Sequence, residues 1–383
     1  MVGRLRSSLE IRTSGNRWFN NNPGGATGAG QVTTGFHTCS DTTGPGDCGP
    51  LDISSVSTSG GVINRFNTGA FSSQFRDYLC DWLRSTGNGP HLGVSGEPND
   101  ITLSNEGAAR TNPSRPYVDV PASVLDIGTA PTTLANNIRD LRRRGVPRRA
   151  PPRPSKRELL RGGGEAWLTY QFMIRPIVGD IVKLMSASQQ VHNRVQEINR
   201  LFHGTGLRRT VSIYSGSTAQ KSNITVQSVG TLISRTFDIV TTVDSWVHCR
   251  WKPETECGLR PPPRQIQAWA GRSVYGITID LSTLWELTPW SWLADWFGDV
   301  GTYLKASRNI VPARLTDVAC MTHRRTLYSC DSFASSDTTM SSIRKIREQK
   351  SRRIGFLSPL NAHFNFLNGS QMGILAAVGA TRS

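Results

Sequence analysis

Two apolar spacings take turns along this chain, one with the period of a strand and one with the period of a helix. Over 210–251, Val211 and Ile213 alternate with Thr210 and Ser212, and Ile233, Phe237, Ile239 and Val243 share one parity. That pattern predicts strands, and 313–356 repeats it with Ser- and Thr-rich turns. Helical spacing lies elsewhere. Over 132–144, Leu134, Ile138 and Leu141 step along one face until Gly145, Pro147 and the run APPRP end the helix. Ser155 with Glu158 three residues on forms a capping box for a second helix over 156–202, disturbed by Gly162–Gly164 and Pro176. Its later half carries the stripe Ile181, Leu184, Val191, Val195, Ile198 and Phe202. These two helices resemble an antiparallel arm with an Arg-rich loop at its tip. Further helices are predicted at 265–275 and, with Pro at a first-turn position, at 289–306, while 358–380 reads as a weakly helical tail.

Residues 1–130 read as loop and short strands. The glycine-rich stretch 23–61 holds too few apolar residues to form a core and must decorate a sheet built elsewhere or stay mobile. Phe71, Phe75, Tyr78, Leu79 and Trp82 sit at helical spacing, which predicts a short helix or covered turn over 71–83. The expected fold class is α+β: elongated, a helical bundle region joined to an antiparallel β-sheet-rich region. The segments are 1–130 (loop-rich outer β region), 131–208 (helical, with the Arg-rich loop), 209–262 (strands), 263–310 (Trp-rich core helices), 311–357 (strands) and 358–383 (helical tail).

Composition narrows the class. With 37 Gly and 21 Pro in 383 residues and 37% hydrophobic content, the chain is neither collagen-like nor wholly disordered, but long irregular stretches are expected. Its best apolar run, near Trp290 to Phe297, is interrupted by Asp295, so no membrane-spanning helix is expected. The first residues, MVGRLRSSLEIRTSGNRW, lack the apolar core of a signal peptide.

Charge is the more informative property. The net charge is +16, and most of it is local. Arg139, Arg142, Arg143, Arg144, Arg148, Arg149, Arg153, Lys156, Arg157 and Arg161 face only Asp140 and Glu158, a net +8 in 23 residues. Arg344, Lys345, Arg347, Lys350, Arg352 and Arg353 against Glu348 add +5. All but three of these sixteen cations are Arg, whose planar fork grips phosphate and stacks on bases, where a merely solvated face more often uses Lys. Nucleic acid is therefore the expected partner, the alternative being an exposed basic linker with no partner.

Other candidate chemistry is thin. Trp285, Trp290, Trp292 and Trp296 fall within twelve positions. They read as core rather than as a base-stacking platform, because few basic residues are interleaved. GPGDCG at 44–49 fits a dinucleotide fingerprint formally but runs into Pro50 instead of a helix. Asp295 and Asp299 sit one turn apart among Trp residues, where capping or pairing is the better reading than a metal site. No C-x-x-C spacing occurs, so zinc is a poor fit and no metal or cofactor is expected. The pairs Cys39/Cys48, Cys249/Cys257 and Cys320/Cys330 leave local disulfides open, foremost Cys39 with Cys48, provided the chain leaves a reducing cytosol.

Two stretches carry a family resemblance. EAWLTYQFMIRPIVGDI at 165–181 resembles the core-helix motif of the maturation (attachment, or A) proteins of single-stranded RNA bacteriophages, the leviviruses, through Trp167–Leu168, Gln171–Phe172, Pro176 and Asp180–Ile181. WELTPWSWLADWFGDVGTYL at 285–304 resembles a second block of that family, through Trp285–Glu286, Pro289, the Trp290–Trp292 triplet and Asp295–Trp296. A weaker echo is Ser358–Pro359. The Arg- and Pro-rich insertion at 142–154 and the glycine-rich N-terminal region depart from the pattern.

The resemblance implies an elongated, non-enzymatic virion protein, monomeric and present once per particle, replacing a coat dimer in the shell. It implies a helical region holding hairpins of the genomic RNA, especially near the 3′ end, and a sheet-rich region binding a bacterial pilus. Such a protein is made in the host cytoplasm and enters the next cell with the RNA. Trp167, Phe172, Trp285, Pro289, Trp290, Trp292 and Trp296 are then core residues. The first basic cluster contacts RNA, and the second faces RNA, coat shell or an acidic pilus surface. The alternative is a cellular structural RNA- or DNA-binding protein, which explains the charge but not the Trp block. A nucleic-acid enzyme is disfavoured, since no paired carboxylates or metal cluster stand near either patch.

Overall fold

The computed structural model describes residues 2–19, 25–43, 49–66, 73–84, 89–117, 175–254, 260–276 and 300–359. The fold is mixed α+β, and two antiparallel sheets dominate the described residues, with five helices among them. Strands β1 (Val2–Ser14), β2 (Asn16–Phe19), β3 (Gly30–Thr43), β4 (Leu51–Gly60), β5 (Val62–Arg65) and β6 (Ser73–Leu79) precede α1 (Asp81–Arg84), α2 (Asp100–Thr111) and α3 (Arg175–Leu201). Then come β7 (Leu207–Gln227), β8 (Ile233–Pro253), α4 (Pro263–Tyr275), α5 (Val300–Ala306), β9 (Ala313–Cys330), β10 (Phe333–Ala334), β11 (Thr338–Met340) and β12 (Ile343–Ile354).

The chain divides into two compact units, each assembled from three separated segments. The first comprises Met1–Gly107, Arg209–Cys249 and Asp317–Phe356. It holds a seven-stranded sheet of order β1-β3-β4-β12-β9-β8-β7 and a five-stranded sheet of order β10-β11-β5-β6-β2. Their shared core draws Ile63, Phe75 and Tyr78 from one sheet, Phe237, Ile239, Tyr328 and Ile343 from the other, and Trp82 from α1. Trp82 packs 4.8 Å from Phe237 and 5.7 Å from Tyr328, centroid to centroid. The alternation expected of β8 is realised: Phe237, Ile239, Thr241, Val243, Ser245 and Val247 are buried while their neighbours are not.

Two expectations for this unit change. The glycine-rich N-terminal stretch forms long strands, β3 and β4, inside the seven-stranded sheet. Pairing on both sides satisfies their backbone groups through the ladder, so few apolar side chains are needed. Residues 73–79 are a strand rather than a helix, followed only by the single turn α1. The β5–β6 pairing shifts register between Ile63 and Arg65, and Asp77 adopts φ 51°. That bulge turns Phe75 and Tyr78 to the same side, with ring centroids 5.2 Å apart, and so imitates the three-residue step of a helix.

The second unit comprises Ala108–Arg208, Arg250–Thr316 and Leu357–Ser383. Here α3 and α4 pack together, with Phe202 stacked on Trp269 at 6.1 Å. The expected helix at 265–275 is present as α4, entered through Pro263 and ended by Gly276 in the left-handed conformation. The buried face of α3 runs through Ala187, Arg194, Ile198 and Leu201, while Val191, Val195 and Phe202 are half-buried. Arg194 is buried because it donates to the carbonyls of Asn112 (3.3 Å), Pro113 (2.6 Å) and Arg115 (3.0 Å). Glu197 steadies it at 3.4 Å and also pairs with Arg115 at 2.9 Å. The same turn is held from the other side by Asn112, whose Nδ2 donates to the carbonyls of Ala306 and Arg308 at 2.8 and 2.9 Å. The helix expected over 132–144 and most of that over 289–306 lie outside the described residues, as does the tail beyond 359.

Candidate nucleic-acid interface

The first basic cluster, Arg139 to Arg161, lies outside the described residues, and so do Trp167, Phe172, Trp285, Pro289, Trp290, Trp292 and Trp296. The second cluster is placed in full. It occupies β12, a central strand flanked by β4 and β9, and strand geometry divides its six cations between two faces.

Arg344, Lys350 and Arg352 share the outer face with Ile346 and Glu348; Lys345, Arg347 and Arg353 share the inner face with Ile343. Lys345 is completely buried, with its Nζ 4.6 Å from the centroid of the Trp82 ring. Burial, reinforced by the charge of Arg347, pushes its amine down to about 8. Arg347 donates to the carbonyl of Gly89 at 2.7 Å, Arg352 to that of Gly49 at 2.6 Å, and Arg353 pairs with Asp52 at 3.0 Å. Glu348 is taken up by Arg325 at 3.3 Å and lies 4.0 Å from His323, whose pKa is lowered by burial and by Lys350.

The expectation that the cations of this cluster face RNA, the coat shell or a pilus is therefore corrected for Lys345. Lys345 is sealed in the core, and Arg347, Arg352 and Arg353 are engaged with the protein's own acceptors. Arg344 and Lys350 are exposed and have no hydrogen-bond or ion-pair partner among the described residues. Arg344 borders a shallow recess of ≈ 230 Å³ with Ser57, Thr58, Ser59 and Ile346, a hydroxyl-and-guanidinium setting that can receive one phosphate group. The burial of Lys345 was legible in the parity it shares with Ile343, but the run of charge masked it.

Other cations lie at the edge of the same sheet. On β1, Arg4 forms a salt bridge with Asp41 and Arg6 lies 3.6 Å from it, which lowers the pKa of that carboxyl chiefly through the Arg4 hydrogen bond. Inside the unit, Arg324 pairs with Glu97 and His91 lies against Thr326, contacts that sequence reasoning did not single out because each joins residues more than 200 positions apart.

Cysteine placement excludes one local pairing. Cys320 and Cys330 stand ten positions apart in the single strand β9, roughly 33 Å at strand rise, and both are free thiols. Cys39 and Cys80 are also free thiols; Cys48 and Cys257 lie outside the described residues. Burial raises Cys80 and Cys320 to about 11, which keeps both protonated at neutral pH. Among the described residues no group of His, Cys, Asp or Glu is arranged to hold a metal ion, and no helix is long and apolar enough to cross a membrane. No protein-family model matches the chain, and no curated protein matches it.

Proposed function

We propose that this chain is a virion maturation and attachment protein of a single-stranded RNA bacteriophage, present as one copy in the shell. It binds structured genomic RNA through a helical region, binds a host pilus through its sheet-rich region, and enters the cell with the RNA. The observation that carries the reading is the block WELTPWSWLADWFGDVGTYL at 285–304, with its resemblance to that family. Support comes from the way the chain passes repeatedly between a strand-rich unit and a second unit in which helices α3 and α4 pack. The finer architecture, an elongated molecule with a true helical bundle, belongs to this proposal.

RNA contact is assigned to the Arg-rich segment 139–161, with Arg344 and Lys350 as the cations of β12 open to a partner. The shell, the pilus and location in the virion follow from the family reading and stand or fall with it. If about eight cations of 139–161 meet phosphate, log K for a structured RNA falls against log salt with a slope of roughly −6 to −7. Reversing Arg142, Arg143, Arg144, Arg148 and Arg149 to Glu should remove most of that slope. A slope near zero, or unchanged binding in the reversed variant, contradicts the assignment. Equal binding to duplex DNA favours a cellular nucleic-acid-binding protein instead.

A further inference from the structure

Strand β1 is one edge of the seven-stranded sheet: it pairs with β3 along Val2–Ser14, and no strand lies on its other side among the described residues. Edge strands are commonly kept short, charged or covered, because a row of open N–H and C=O groups templates a further strand. This one is 13 residues long and holds three large apolar side chains open to solvent, Leu5 at 76%, Leu9 at 64% and Ile11 at 53% exposure. On the opposite edge, β7, no large apolar side chain is so exposed. Leu5, Leu9 and Ile11 share one face of the strand, and Arg4, Arg6, Ser8 and Glu10 share the other. The register shift of the β1–β3 ladder places its extra residue, Thr34, in β3, so the alternation of β1 runs on through Ile11.

A strand that extends this edge and keeps the apolar face continuous has to match that pattern. The chain's own β1 does so when two copies pair antiparallel about a two-fold axis at Ser7. Leu5 then stands opposite Leu9 of the second copy and Arg4 opposite its Glu10, each pair occurring twice, with Ser7 facing Ser7. The charged groups have atoms to spare for this. Arg4 holds Asp41 through Nε and Nη2 and keeps Nη1, while Glu10 accepts the Thr58 N–H on Oε1 and keeps Oε2.

Other registers are penalised. Centring the pair on Leu5 sets Arg4 against Arg6, and centring it on Arg6 sets that residue against itself. Centring on Ser8 sets Arg4 against Arg12, and centring on Leu9 sets Arg6 against Arg12. A slip by one residue turns the apolar face of one copy beside the polar face of the other. Charge and apolar contact therefore select the same register.

We propose that two copies of the free chain associate edge to edge through β1, in the register centred on Ser7, joining their seven-stranded sheets into one. The pairing belongs to the chain in solution, before it enters any particle, and does not rest on the RNA reading above.

The test is sedimentation velocity of the purified full-length protein, reduced and free of nucleic acid, from about 1 to about 100 µM. The wild type should move from one chain towards two as concentration rises. Leu5→Lys with Leu9→Lys places edge lysines at solvent-open positions; this variant should keep the wild-type circular dichroism and melting temperature yet remain a single chain. Cysteine pairing reads the register. Ser7→Cys brings two thiols opposite each other at a Cα separation of about 4.5–5.5 Å, and mild oxidation should link the copies. Gly3→Cys has open space for its side chain, but its two thiols stand roughly 27 Å apart in this register. It should link no more than the wild type, whose half-buried Cys39 sets the background. Dimers that survive the two lysines, or equal linkage by Ser7→Cys and Gly3→Cys, overturn the proposal. So does a single chain at every concentration, which leaves the edge to a strand of another protein.

Discussion

Replacing Lys345 with methionine should stabilise the protein at pH 7 and have little effect near pH 10. The side chain is fully buried, and its amine is pushed from 10.5 down to about 8, first by desolvation and then by Arg347, with Cys80 acting the other way. In its charged form such an ammonium carries about 3 kcal/mol of unfavourable free energy relative to the unfolded chain. Relaxation of the surroundings and loss of the contact with Trp82 reduce the expected gain to about 1–3 kcal/mol. The sign follows from proton counting. Between pH 8 and 10.5 the unfolded chain holds more protons at this site, so wild-type stability from this group rises with pH across that window, and the full penalty is present below it. Cys80 and Cys320, raised to about 11, pull stability the opposite way above pH 9, but they do so in both proteins. The quantity to measure is therefore the difference between wild type and Lys345→Met in urea unfolding at pH 7 and pH 10. Methionine keeps a polarisable group against the indole ring, which limits any packing loss. A difference that stays constant with pH refutes the buried-ammonium account.

Three further outcomes are expected. Arg194→Met takes the guanidinium from the Pro113 and Arg115 carbonyls, removes one of the donors to Asn112 and one of the cations beside Glu197, and should destabilise by about 3–5 kcal/mol; a loss under about 1 kcal/mol in urea unfolding contradicts the role given to that guanidinium. His91 is lowered to about 4 by burial and then by Arg347 and Arg324, so stability should fall as the pH drops from 6.5 towards 4, by about 1–2 kcal/mol after allowance for its partial exposure. His91→Gln should flatten that dependence in acid-titration unfolding, and an unchanged slope speaks against it. Gly89 has φ 99°, and a Cβ there would stand 2.6 Å from the Tyr328 ring, so Gly89→Ala should lower stability by about 2 kcal/mol or more. Gly93→Ala, with open space around it, should stay within about 0.5 kcal/mol in the same thermal melts.

Period-two burial made β8 readable from sequence, because one side of the strand faces a continuous core and every second residue answers to it. The helix α4 was readable for a similar reason, with Pro at its start and Gly at its end. Strand β6 was not, since the bulge at Asp77 reset its parity and only the folded backbone records that. Strands β3 and β4 were obscured by composition: a wide ladder holds Ser- and Thr-rich segments that carry little apolar signal. Arg194 and Lys345 show the limit for charge. Parity with Ile343 puts Lys345 on the inner face, but a cation's place in sequence does not name the carbonyls or the indole ring that receive it there. The candidate site was legible as a density of arginine; which of the β12 cations remain open to a partner was decided by tertiary neighbours from residues 49, 52 and 89.

The central claim is that this chain is a single-copy, RNA-bound component of a phage particle. Ultraviolet cross-linking and quantitative mass spectrometry of purified particles carrying this gene test it most directly. The account predicts one copy of the chain per shell, with RNA adducts concentrated between Arg139 and Arg161. Absence of the chain from the particles, or adducts that avoid that segment, would contradict it.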